Sequence, residues 1–171
     1  AQKLARTGAG EFMIVVSDTS PVVNLAGIGQ LALLPALFGE VILPPGVFDE
    51  IVVRGKGKPG EAEIASATWV QVRACTDASL LAKFSHLDPG EAEAIALAIE
   101  LDAHQLLIDE KAGRQAAIDE NIQVIGVLGI LLQAKTMGLI TNILPHLNAL
   151  IQFGFHVDAA LYARVRTTAG E

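Results

Sequence analysis

Short β-branched runs alternate with helix-forming segments along almost the whole chain, and this alternation constrains the fold more than any other feature. Met13 to Val16, Val41 to Leu43, Trp69 to Arg73, Gln105 to Ile108 and Gln123 to Ile125 read as strands. The intervening segments are long enough for crossover helices, the pattern of a parallel sheet covered by helices on its faces. Of the 171 residues 51% are hydrophobic and only 5% aromatic. That mixture suits aliphatic helices on a buried sheet rather than an aromatic-rich sandwich. The length is that of one domain, and no repeat, linker or low-complexity stretch divides it. The expectation is one three-layer α/β/α domain over residues 13–171. Residues 1–12 differ in composition from the rest of the chain and are expected to be a cloning-derived or disordered N-terminal segment.

Punctuation between the strands supports the helices. Ser20-Pro21 supplies an N-cap and a proline at the first helical position. Helical segments are expected from there through Leu25, over Gln30 to Phe38, from Pro45 through Arg54, and near Glu61 to Ala67. Asp88-Pro89-Gly90-Glu91 opens another that runs to about Glu100, and one carrying Arg114 comes after the fourth strand. The remainder reads as helical, with Gly138 and Gly154 as stops and Thr141 and Asp158 as N-caps.

Several function classes fall away. Cys75 is the one cysteine, so a disulfide framework or a multi-cysteine metal site is excluded. The net charge is −7, from 12 Lys and Arg against 19 Asp and Glu, which excludes a generic basic nucleic-acid coat. The longest apolar run, Val124 to Leu132, falls far below the ~20 residues of a spanning helix. No membrane association and a cytoplasmic location are therefore expected. His86, His104, His146 and His156 lack metal-ligand spacing. There is no nucleophile elbow, and Gly55 to Gly60 does not form a phosphate-binding loop of the GxxxxGK[ST] type.

What remains is acidic. Open parallel sheets bind ligands beyond the carboxyl ends of their strands. Two such ends carry acids, Asp18 after the first strand and Asp109-Glu110 after the fourth. Glu50 and Glu91 (with Glu93 as its neighbour) lie on helices able to face the same crevice. Four converging carboxylates resist ionising together without a cation. Hard oxygen donors select Mg²⁺ or Mn²⁺, which activate water and stabilise displacement at phosphorus. Each acid also has a purely structural reading. Asp18 and Asp109 fit as helix caps, Glu50 pairs with Arg54 at i,i+4, Glu91 completes a capping box with Asp88, and Glu110 pairs with Arg114. Arg54, Lys56 and Lys58, in a basic loop, suit a nucleic-acid backbone or a solvated connection.

The run Val15-Val16-Ser17-Asp18-Thr19-Ser20-Pro21, with Asn24 and Leu25, resembles the opening of a PIN domain, a metal-dependent ribonuclease fold. Leu87-Asp88-Pro89-Gly90-Glu91-Ala92-Glu93-Ala94-Ile95 resembles the helix bearing the third acid in a PIN subgroup close to VapC-type toxins. Leu106-Leu107-Ile108-Asp109-Glu110 with Gly113-Arg114, then Val124-Ile125-Gly126 and Ala134-Lys135, continue that pattern. The resemblance implies a five-stranded parallel sheet of order 3-2-1-4-5 and an Mg²⁺- or Mn²⁺-dependent endoribonuclease. Its implied metal and catalytic acids are Asp18, Glu50, Glu91 and Asp109, with Ser20, Glu110 and Arg114 in support. It also implies an RNA substrate, a homodimer, and the toxin role of a pair with a cognate antitoxin. The alternative is a catalytically weak or inactive PIN-like module that binds RNA or a protein. Two departures stand out: the third acid is glutamate where many PIN nucleases have aspartate, and alternation along the strand sends Asp109 and Glu110 to opposite sides.

Overall fold

A computed structural model describes residues 13–171; the expected N-terminal segment 1–12 lies outside the described residues. The first half runs β1 (Val15–Ser17), α1 (Thr19–Gly27), α2 (Leu33–Phe38), β2 (Val41–Leu43), α3 (Pro45–Val52), α4 (Glu61–Ser66) and β3 (Val70–Val72). The second half runs α5 (Ala78–Lys83), α6 (Pro89–Glu100), β4 (Gln105–Leu107), α7 (Lys111–Asp119), β5 (Val124–Ile125), α8 (Val127–Thr136), α9 (Leu144–Phe153) and α10 (Ala159–Ala169).

The strands form one parallel sheet of order β3-β2-β1-β4-β5. At its centre Val15, Val16 and Ser17 stand in register with Gln105, Leu106 and Leu107. The chain moves outward from β1 in one direction through β2 and β3, and in the other through β4 and β5. The crevice between β1 and β4 is therefore the switch point of the sheet.

Strand alternation divides the core into two layers. Val15, Val41, Leu43 and Leu107 join Val22, Leu25, Leu34, Phe38, Ile51, Ile130 and Leu147 on one face. Val16, Ile42, Leu106 and Ile108 join Ala94, Ile95, Leu97, Ala98 and Ala117 on the other. Successive residues of one strand point to opposite faces, so β-branched runs buried on both sides become a three-layer sandwich.

Four details differ from the sequence expectations. Ser20 does not cap α1, which starts at Thr19 with Asp18 in the N-cap position, so Pro21 is its third residue and not its first. The pattern of the chain does not announce α5; its start is fixed by Asp77, whose carboxylate accepts from the Ser79 and Leu80 N–H groups. α2 begins at Leu33, after a turn, rather than at Gln30. Thr141 does not cap α9, which starts at Leu144 with Ile143 in the N-cap position. There the carboxylate of Glu171 accepts from the Ile143 and Leu144 N–H groups, so a distant side chain supplies the acceptor. Asp158 and Gly154 cap as expected. Among the described residues no helix is long and apolar enough to cross a membrane.

Candidate active site

Asp18 stands where β1 ends and α1 begins, in the N-cap position of α1, yet its side chain makes no capping bond. The structural reading of this residue therefore fails on its side chain, which turns to the crevice instead. Asp18 is 4% exposed and Glu91 is 7% exposed, and neither has an ion-pair partner among the described residues. A cavity of about 700 Å³ opens in front of them. Asp18, Glu50, Asp88, Glu91 and Glu110 line it, together with Thr19, Ser20, Asn24, Arg54 and Lys58. Four different junctions or helices thus deliver carboxylates to one space, at the switch point where open α/β sheets bind ligands.

Local interactions hold these groups in place. The Thr19 hydroxyl donates to Glu50 Oε2 at 2.9 Å, joining α1 to α3. The Asn24 amide donates to Ser20 Oγ at 3.1 Å. Asp88 caps α6 by accepting from the Gly90 N–H at 3.1 Å while also facing the cavity. Glycine at position 90 is what allows the approach. A Cβ there would lie 3.2 Å from Glu50 Oε2 and 3.4 Å from both Asp18 Oδ1 and Asp88 Oδ1. Glu91 packs against α7, where a Cβ at Gly113 would lie 3.4 Å from its Cδ.

The electrostatics arise from this crowding. Burial pushes the Asp18 carboxyl up to about 7; the Thr19 N–H opposes it, and the charges of Glu91, Glu50 and Asp88 add to it. Burial also raises Glu91, with Asp88 and Glu110 contributing. A buried carboxylate crowded by others favours its neutral form until a cation compensates it.

The two acids after β4 part company. Leu107 faces the layer containing α1 and α8, and Ile108 faces the layer containing α6. Asp109 is two residues beyond Leu107, and Glu110 two beyond Ile108. Asp109 Oδ1 accepts from the Val127 N–H at 2.8 Å, and its Oδ2 accepts from Ser20 Oγ at 3.4 Å. Burial raises its pKa, while the Val127 N–H, Arg114 and Ser20 work against that rise. Asp109 and Arg114 line a separate cavity of about 380 Å³, and Glu110 lines the acidic one. Neither i,i+4 ion pair forms. Arg114 donates to the Ile108 carbonyl at 3.0 Å, and Glu50 accepts from Thr19. Among the described residues the ion pairs are Lys83–Glu120 and Lys135–Glu171.

Of the basic loop, Arg54 and Lys58 line the acidic cavity and Lys56 does not. The sequence pattern presents Asp88 only as a cap and does not single out Thr19. The spacing of Thr19, one residue beyond the acid that ends β1, was the available signal.

The donor chemistry suits a hard divalent ion: five carboxylates face one cavity, and none is tied up in an ion pair among the described residues. Among the described residues no three acidic, histidine or cysteine groups stand close enough together to hold a metal ion between them. Mg²⁺ keeps several of its waters and needs only one or two carboxylates, so a partial shell fits it.

A PIN-domain family model matches residues 14–171. The chain belongs to the PIN-domain family. A search of curated proteins finds no match. PIN domains are generally nucleases and typically use divalent metals; in this PIN domain the acidic cavity lies beside the β1–β4 switch point of the sheet. The five-stranded order implied by the sequence resemblance is the order observed.

Proposed function

We propose that this PIN domain is a metal-dependent endoribonuclease that hydrolyses RNA phosphodiester bonds at the acidic cavity. One observation carries the reading: Asp18, Glu50, Glu91 and Glu110 reach a single cavity from four parts of the fold, with Arg54 and Lys58 on its wall. In this proposal one or two of those four acids bind Mg²⁺ or Mn²⁺ directly and the others act through its waters, while Asp109 orients Ser20 and the start of α8. A bound divalent ion would polarise a phosphoryl oxygen and make water a better nucleophile near neutral pH. The protein's own contribution is positional. Arg54 and Lys58 attract the phosphate, Thr19 fixes the Glu50 carboxylate, and the buried Asp18 presents a carboxylate whose ionisation at neutral pH a cation favours. The toxin role, a cognate antitoxin, a homodimer and a cytoplasmic location belong to the same proposal on the strength of the family resemblance.

The alternative, a module that binds RNA or a protein without cleaving, is favoured by the spacing of the carboxylates, no three of which stand together as a metal-holding group among the described residues. One experiment separates the two. A mixed RNA pool is incubated with the protein and increasing Mn²⁺ or Mg²⁺, and cleavage is followed with and without chelator. We expect metal-dependent cleavage that falls by at least about 100-fold in Glu91→Gln, at or beyond the top of the range for losing a group that only orients a metal ligand. RNA binding without cleavage at any metal concentration would establish the alternative.

A further inference from the structure

Helices α3 and α6 bring Glu50 and Glu91 to the same cavity, and they meet through two glycines. At one contact Glu50 of α3 lies over Gly90 of α6, its Oε2 3.2 Å from where a Cβ would stand. At the other, Glu93 of α6 lies over Gly46 of α3, its Oε1 2.5 Å from where a Cβ would stand. The arrangement is reciprocal: each helix offers a glycine to a glutamate of the other. Gly46 and Glu50 are four residues apart and share a face of α3, and Gly90 and Glu93 are three apart and share a face of α6.

The contact at Gly46 has a further physical basis. The first residues of α3 are Pro44 at the N-cap and Pro45 at the first helical position, and no side chain caps the helix locally. Neither proline can donate a backbone hydrogen bond, so Gly46 offers the first free N–H of the helix. Glu93 Oε2 accepts it at 3.0 Å. A carboxylate at a helix N-terminus is favoured both by the orphan donor and by the helix dipole. The bond lies one turn before Glu50.

We infer that Glu93 is a positioning residue: by holding the N-terminus of α3 against α6, it sets the separation of Glu50 from Asp18 and Glu91. This rests on the reading of those acids as the metal site. Glu93 itself does not line the cavity, and it acts through Glu50.

The test measures Mn²⁺ binding by electron paramagnetic resonance, alongside kcat and KM for RNA cleavage. Glu93→Ala is expected to lower Mn²⁺ affinity and kcat by about 10-fold each, in the range for residues that orient metal ligands, and to leave KM unchanged. Glu93→Gln keeps an acceptor for the Gly46 N–H and is expected to retain wild-type affinity. Gly46→Ala drives a methyl against the Glu93 carboxylate and should reproduce the loss with Glu93 still present, which keeps the test decisive if Glu93→Ala folds poorly. Combining Gly46→Ala with Glu93→Ala should add nothing to the larger single effect. The proposal is overturned if Glu93→Ala or Gly46→Ala binds Mn²⁺ like wild type while Glu91→Gln does not; the metal site then stands without it. Additive losses in the double variant, or a Glu93→Gln as weak as Glu93→Ala, also overturn it. A wild-type protein that binds no Mn²⁺ overturns the metal site and the positioning role together.

Discussion

Asp18 concentrates the conflict between folding and function in one side chain. Its carboxyl is raised from 3.8 to about 7, chiefly by burial and then, against the Thr19 N–H, by Glu91, Glu50 and Asp88. Below about pH 3 the group is largely protonated whether the chain is folded or not, and it takes little from stability. As pH rises towards 7 the unfolded chain releases the proton first, so the metal-free fold loses stability across that window, by up to roughly 4 kcal/mol at about 1.4 kcal/mol per pH unit. Asp18→Asn removes the titration while keeping the shape. The metal-free variant should be more stable than wild type near pH 7.5 by about 1–4 kcal/mol and nearly equal at about pH 3. Its metal-dependent cleavage should be lost. Urea denaturation of both chelated proteins at the two pH values measures the difference, and an equal gap at both would mean that Asp18 is not the buried acid responsible. A divalent ion should partly restore the wild type at pH 7.5, because a ligand that binds only the folded state stabilises it.

At the scale of the elements, Asp109 and Glu110 are adjacent in sequence and belong to different layers. α8 begins after Gly126, which has no side chain to cap it, and Asp109 supplies the acceptor for Val127 from the end of β4. Gly126 cannot be replaced cheaply, since a Cβ there would stand 2.6 Å from Asp109 Oδ1 and 3.0 Å from an Arg114 guanidinium nitrogen. Asp109→Ala should therefore destabilise the protein by about 1–3 kcal/mol, the usual result of orphaning buried polar groups. Glu110→Gln should change stability by no more than about 0.5 kcal/mol, as a surface substitution does, and should depress cleavage strongly. Denaturation and cleavage measured on both variants check the assignment. A stable Asp109→Ala that no longer binds Mn²⁺ would return the fourth ligand position to Asp109. These two residues also show how far the sequence could be read. The strand and helix alternation, the sheet edge acids and the Asp88 cap were legible because each depends on local pattern. Alternation also said that Asp109 and Glu110 diverge, but which of them faces the α6 layer depends on the register of β4 within the sheet. The cap of α9 by Glu171 and the bond from Glu93 to Gly46 join residues far apart in sequence, and no local pattern announces them.

At the scale of the whole molecule, a chain of net charge −7 repels a polyanion, so any attraction for RNA must be local. Arg54 and Lys58 stand on the wall of the acidic cavity, where they are the cations set beside its five carboxylates, and Lys56 of the same loop stands outside it. If the phosphate backbone crosses the cavity mouth, each cation that meets a phosphate releases condensed counterion. The salt dependence of binding then reports how many such contacts exist, at about 0.7 in log affinity per log salt for each contact on single-stranded RNA. Arg54→Ala and Lys58→Ala should each lower that slope by about 0.7, and the pair together by about 1.4, while Lys56→Ala leaves it unchanged. Fluorescence anisotropy with chelated protein, so that RNA is not consumed, measures the slopes between about 50 and about 200 mM salt. Divalent ion added back, with a nuclease-resistant RNA analogue as the probe, should raise affinity at every salt concentration, because it converts the most repulsive part of the surface into an attractive one. A slope that falls equally for Lys56→Ala and for the two cavity cations would mean that the loop attracts RNA as a diffuse charge, and that the backbone does not pass the acidic cavity at all.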